Sequence, residues 1–196
     1  TSVDIAFDLP CRIVPTPADL LRYTKRGRGS GSRYLKAASA KGLYVYDKKR
    51  DSWQLVRQQP NGSTQVTEIE PYFMDSPKQL ERALLRNEIT IYTGTRNGEI
   101  KMYGKGGGLR YELSARKTIL RKMMTDRRLC VLRNPLVLQT LFQNAVQRIG
   151  DIFAHSCLHS LFLRAAEQAI RNFWHGFSSK ASEYGMLPII SPYNNV

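Results

Sequence analysis

Two short helical stretches aside, near residues 17 and 77, the spacing of apolar residues shifts from a strand period to a helix period near residue 112, and that shift limits the fold more than any other feature. Before it, apolar and polar residues alternate in short runs separated by turn residues. After it, apolar residues recur every three or four positions. A period of two puts one face of a strand into a core, and a period of 3.6 does the same for a helix. Strands and helices kept apart in this way, with no repeated strand–helix–strand alternation, predict an α+β fold. The expected arrangement is an antiparallel meander and hairpin sheet in the N-terminal two-thirds and a helical C-terminal third. Residues 1–112 would form a mixed, β-rich basic region and 113–196 a helical region packing on it, with one single domain as the alternative.

Local signals place the elements. In VPTPADLLRY, Thr16 caps a helix over 17–23, Pro17 suits its first position, and Asp19 complements the N-terminal dipole. Thr24 to Arg33, TKRGRGSGSR, reads as a flexible basic loop with nothing apolar to bury. LYVY (43–46), WQLVR (53–57) and TQVTEI (64–69) predict a meander, with Asn61-Gly62 as a turn centre. Ser76, Pro77 and Gln79 open a second helix with a capping-box pattern.

The clearest hairpin is EITIYTGTRNGEIKMYG, where Asn97-Gly98 suits a type I′ turn. That turn would pair Arg96 with Glu99, Gly94 with Lys101 and Tyr92 with Tyr103. Ile89, Ile91, Ile100 and Met102 then face the core, while Tyr92, Tyr103, Lys101 and Arg96 face the other way. The chain is expected to turn helical after Glu112. A helix over 114–129 would gather Arg110, Lys117, Arg121 and Arg128 on one side. Asn134-Pro135 opens a helix over 135–149, and Asp151 caps the last one, over 152–177.

Thirty Lys and Arg against 16 Asp and Glu give a net charge of +14. The excess is concentrated. Residues 22–50 hold ten basic residues and one acid, and residues 96–133 hold eleven and three. Two such blocks point to an anionic partner: nucleic acid, an anionic membrane surface or an acidic protein. Cys11, Cys130 and Cys157 are few and widely spaced, which fits a reducing, intracellular compartment better than a disulfide framework. The N-terminal stretch lacks the pattern of a signal peptide, and no long uncharged apolar window predicts a transmembrane span.

The glycines at 104, 106, 107 and 108 raise the question of a phosphate loop. Gly98 to Gly104 is one residue too long for a P-loop, and Gly106 stands where Ser or Thr should follow Lys105. Leu109 breaks the dinucleotide fingerprint. Gly104-Lys105-Gly106-Gly107 resembles the G-x-x-G loop of KH-type RNA-binding domains over four residues, although the segment before it reads as strand where that module has helix. His155 and His159 lie four apart, but the Glu of a zinc-protease motif is missing, and no metal or cofactor is expected.

The sequence therefore predicts a non-catalytic basic protein engaging phosphate-rich polyanions, with RNA favoured over other nucleic acids and without strong sequence readout. Arg26, Arg28, Arg33, Arg96, Lys101, Lys105, Arg110, Lys117, Arg121 and Arg128 would contact phosphate, and Tyr92 and Tyr103 would stack on bases. Two alternatives use the same residues. One is a viral matrix-type assembly protein on an anionic membrane, self-associating through its C-terminal helices. The other is a metal-dependent nuclease built on the Glu99-x-Lys101 pair.

Overall fold

The computed structural model describes residues 2–10, 12–26, 32–123 and 134–183. Strands β1 (Ser2–Leu9), β2 (Tyr34–Ser39), β3 (Gly42–Asp47), β4 (Ser52–Gln58), β5 (Thr64–Glu68), β6 (Ile89–Thr95), β7 (Gly98–Lys105) and β8 (Gly108–Arg116) form one antiparallel sheet. Its order is β1-β8-β7-β6-β2-β3-β4-β5. Helices α1 (Pro17–Lys25), α2 (Pro77–Leu85), α3 (Lys117–Met123), α4 (Pro135–Gly150) and α5 (Ser156–Glu183) complete the fold, with a short 3-10 turn at Tyr72–Met74. The architecture is α+β, as the change of period predicts.

One face of the sheet makes the core. The row Phe7, Tyr111, Met102, Ile91, Ala37, Tyr44 and Leu55 crosses seven strands, each residue directly opposite the next, and all seven are buried. Leu20 of α1, Leu80 and Leu84 of α2, Ile119 of α3 and Ile149 of α4 join the same cluster. So does the α5 stripe Phe162, Ala166, Ile170 and Trp174, one residue per turn. Gly104 shows how closely α2 is seated: a Cβ there would lie 2.5 Å from the Leu84 carbonyl oxygen. Ile89, Ile91, Ile100 and Met102 all face this core, as expected.

Three helix starts follow their sequence signals. Thr16 Oγ1 accepts from the Asp19 amide at 3.1 Å, and Asp19 Oδ2 accepts from the Thr16 amide at 3.0 Å, a reciprocal capping box. Asp19 is also buried, and its Oδ1 accepts from the Ala154 amide at 3.1 Å, tying α1 to the α4–α5 connection. Ser76 Oγ caps α2 through the Gln79 amide, and Asn134 Oδ1 caps α4 through the Leu136 amide.

Several expectations are corrected. The β6–β7 hairpin turns at Arg96-Asn97, and the pairs are Thr95 with Gly98, Thr93 with Ile100 and Tyr92 with Lys101. Neither Asn97 nor Gly98 has the positive φ a type I′ turn needs. The reason is that β7 answers to two neighbours: the Asn97 carbonyl accepts from the Arg116 amide at 2.9 Å, extending the ladder with β8. The slip is two residues, so every side chain keeps its predicted face. The chain does not turn helical after Glu112. β8 continues to Arg116, and Arg110 lies on a strand rather than on a helix with Lys117. The glycine cluster joins strand to strand. Gly106 and Gly107, at φ +57° and +80°, form the turn between the opposed residues Lys105 and Gly108. This removes the likeness to a KH loop, which needs a helix on that side. Asp151 closes α4 instead of opening α5, which begins at Ser156. β1 and β2 were not anticipated.

Candidate anion-binding site

The outer face of the sheet carries the predicted Tyr92, Lys101 and Tyr103, all half-buried, beside residues that only the pairing brings to them. One row runs Lys36, Tyr92, Lys101, Glu112 and Ala6 across five strands. The next pairs Tyr103 with Arg110 and Arg110 with Asp8. On the other side lie Tyr34, Gly94, Glu99 and Ser114. Tyr34, Tyr92 and Tyr103 therefore form a diagonal, one strand across and two residues along at each step, a spacing of about 7–8 Å. Their hydroxyls are tethered where acids are near. Tyr34 donates to Glu99, and Tyr103 donates to Glu112 Oε2 at 3.3 Å. Burial and that bond push the Tyr34 hydroxyl's pKa up. Lys36 Nζ lies 4.9 Å from the Tyr34 ring centroid.

Two predicted phosphate contacts on this face are already matched by acids. Lys101 Nζ donates to Glu112 Oε1 at 2.7 Å, which raises the ammonium's pKa. Arg110 grips Asp8 with two parallel bonds, Nε to Oδ1 at 2.5 Å and a terminal nitrogen to Oδ2 at 2.6 Å. That fork holds the Asp8 carboxyl below the ordinary aspartate range and raises Arg110 further. Lys105, at the β7–β8 turn, lies 3.9 Å from the same carboxylate.

At the other end of the sheet the balance differs. Antiparallel pairing brings together the start of β1, the end of β8, the β6–β7 turn, the start of β2 and the β3–β4 turn. Arg96, Asn97, Arg116, Lys117 and Ser2 line an open cleft of about 670 Å³ there. Arg96, Arg116 and Lys117 are exposed and make no ion pair among the described residues. Tyr34 pairs with Gly94, two residues before the cleft residue Arg96, so the cleft opens at the head of the tyrosine diagonal. Farther along this end, Arg33 stacks its guanidinium 3.9 Å from the Tyr23 ring centroid. Lys48 Nζ is buried without a hydrogen-bond partner, and burial, with Arg33 nearby, lowers its pKa. Lys25 and Arg50 at the same end are answered by Asp51 and Asp47.

The predicted residues thus separate. Arg96 and Lys117 share the cleft; Arg26 and Arg33 lie at the same end; Arg121 is exposed on α3. Lys101 and Arg110 sit mid-sheet, and Lys105 is at the opposite end. Arg28 and Arg128 lie outside the described residues. Tyr34, Lys48 and Arg116 were missed. The alternation of Arg33, Tyr34, Leu35, Lys36 and Ala37 was the available signal for β2, and Arg116 was read as helical. Among the described residues, no three His, Cys, Asp or Glu side chains are grouped to hold a metal ion. His159 packs its ring against Gly150 instead. No described helix is long and apolar enough to cross a membrane. No protein-family model, curated protein or solved structure matches this chain.

Proposed function

We propose that the protein is a non-catalytic binder of single-stranded nucleic acid, RNA foremost, held by its backbone phosphates and by base stacking without strong sequence readout. The reading rests on one juxtaposition. A diagonal of three half-exposed tyrosines leads into a cleft whose three cations have no carboxylate partner among the described residues. Stacking tolerates any base because every base has a π face, and unpaired cations gain from releasing the counterions of phosphate. A strand lying along Tyr103, Tyr92 and Tyr34 would deliver its backbone to Arg96, Arg116 and Lys117.

The test is fluorescence anisotropy with a labelled oligouridine across a salt series, alongside vesicles of anionic phospholipid. Binding to oligouridine that weakens linearly in log salt, and is stronger than to the vesicles, supports the reading. Vesicle binding alone transfers the same cations to a membrane-assembly role. Cleavage of the oligonucleotide with Mg²⁺, lost in Glu99→Ala, overturns the non-catalytic reading.

A further inference from the structure

We infer that the outer edge of β1, which has no strand partner among the described residues, is a docking site for an extended segment of a partner protein, one that alternates apolar and basic residues. This inference uses other residues than the proposed nucleic-acid site and stands apart from it.

β1 ends the sheet. One edge bonds to β8, and the other has no strand partner among the described residues. An edge of this kind is a template for another strand unless charged side chains, proline, a bulge or a covering element guards it; SVDIAFDL has no lysine or proline, and the charges that guard it are the exposed Asp4 and Asp8. An open groove of about 620 Å³ runs beside this edge for most of its length, between β1 and the helices α4 and α5. Its lining is mainly apolar: Ile5, Phe7 and Ile170 are buried beneath it, while Leu138, Phe142 and Phe173 keep surface exposed to it. The Phe7 and Phe142 rings meet edge to face with centroids 5.9 Å apart. A strand added here would lay every second side chain over this floor.

The charge on the strand chooses the occupant. Along the outer row β1 presents Asp4, Ala6 and Asp8, all exposed. Asp8 is taken by Arg110, whereas Asp4 makes no ion pair among the described residues. On its bonded side β1 accepts Leu109, Tyr111 and Leu113 inward, and Arg110, Glu112 and Ser114 outward, with Arg110 on Asp8 and Ser114 opposite Asp4. The other side asks for the same inward apolar row, and Asp4, which Ser114 does not neutralise, favours a cation in the outward row. A second copy answers it poorly. Antiparallel self-pairing centred on Ala6 would set Asp4 against Asp8 of the other copy, and centring on Ile5 would set it against Ala6; β1 has no Lys or Arg to place beside Asp4 in either register.

The experiment compares two labelled, end-capped peptides, VKVTVKV and VEVTVEV, by anisotropy against the full chain at about 0.15 M salt. The net charge of +14 makes the control sharp, because unspecific attraction favours the acidic peptide. Saturable binding of VKVTVKV alone is the expected result. It should weaken by about tenfold, some 1.4 kcal/mol, in Asp4→Lys and again in Leu138→Gln. Asp4 is exposed, so Asp4→Lys keeps the test open if Leu138→Gln fails to fold. Equal or tighter binding of VEVTVEV, or parent-like binding by Asp4→Lys, overturns the inference. So does sedimentation showing that the edge is occupied by a second copy.

Discussion

The middle of the outer sheet face and the cleft at its end are built from similar residues and differ in what answers their charge. In the middle, Lys101 and Arg110 each meet a carboxylate supplied by a neighbouring strand. In the cleft, Arg96, Arg116 and Lys117 meet none among the described residues. A cation already bonded to a carboxylate must give up that bond to take a phosphate, so its net gain is small. An unpaired exposed cation sheds only water and counterions. Basic residues along a sequence therefore overstate the anion-binding surface wherever strand pairing places acids across from them.

The largest test of this contrast is charge reversal. Arg96→Glu, Arg116→Glu and Lys117→Glu together should weaken oligouridine binding by about 100-fold or more at low salt. The matching alanine triple should lower the log–log salt slope by about 2, since each phosphate contact on a single strand contributes about 0.7. Lys101→Ala with Arg110→Ala should change the slope by less than about 0.7. Equal effects from the two sets would break the comparison.

Stacking comes next. Tyr92→Ala should cost about 1–2 kcal/mol of affinity, roughly tenfold, and Tyr92→Phe should restore it, because the ring rather than the hydroxyl does the stacking. Anisotropy at a single salt concentration reads both.

A smaller effect has the opposite sign. Glu112→Gln releases Lys101 from its partner, so affinity for oligouridine should rise about twofold to threefold while thermal stability falls by about 1 kcal/mol. A variant that loses stability without gaining affinity would show that Lys101 cannot reach the ligand even when free.

The smallest effect concerns pH. The folded pKa of Asp8 is depressed by its bond to Arg110, so the stability it contributes is present above the unfolded value of about 3.9 and is lost as pH falls through the lower folded value. The stability difference between the parent and Asp8→Asn should be constant above about pH 5 and shrink as pH falls below the unfolded value of about 3.9. Asp8 is half exposed, so the difference stays under about 1 kcal/mol. Denaturant melts along that pH range measure it.

How much was legible can be read from particular residues. The caps at Thr16, Ser76 and Asn134 were visible because a helix start is decided within four residues. The faces of β6 and β7 were visible because a period of two survives a two-residue slip. The slip itself was not visible: Asn97-Gly98 favours one turn locally, and a ladder bond to Arg116, from a strand that follows later in the chain, decided otherwise. Two of the three cations of the cleft, Arg96 and Lys117, are among the residues predicted to contact phosphate. Arg116 is not legible because its apolar neighbours fit either period, and pairing with Ser2 of β1 on one side and the bond to the Asn97 carbonyl on the other hold it extended.

Local chemistry along the chain determined the α+β class, the helix starts at Thr16, Ser76 and Asn134, the inward face of the hairpin and the excess of positive charge. Those properties depend on neighbours a few positions away. Tertiary structure decided which cations remain free. Asp8 and Arg110 are 102 residues apart in the chain, and their bond exists only because β1 returns to pair with β8. Whether a charge is spent on the fold or left for a partner is a property of strand order, which no local pattern encodes.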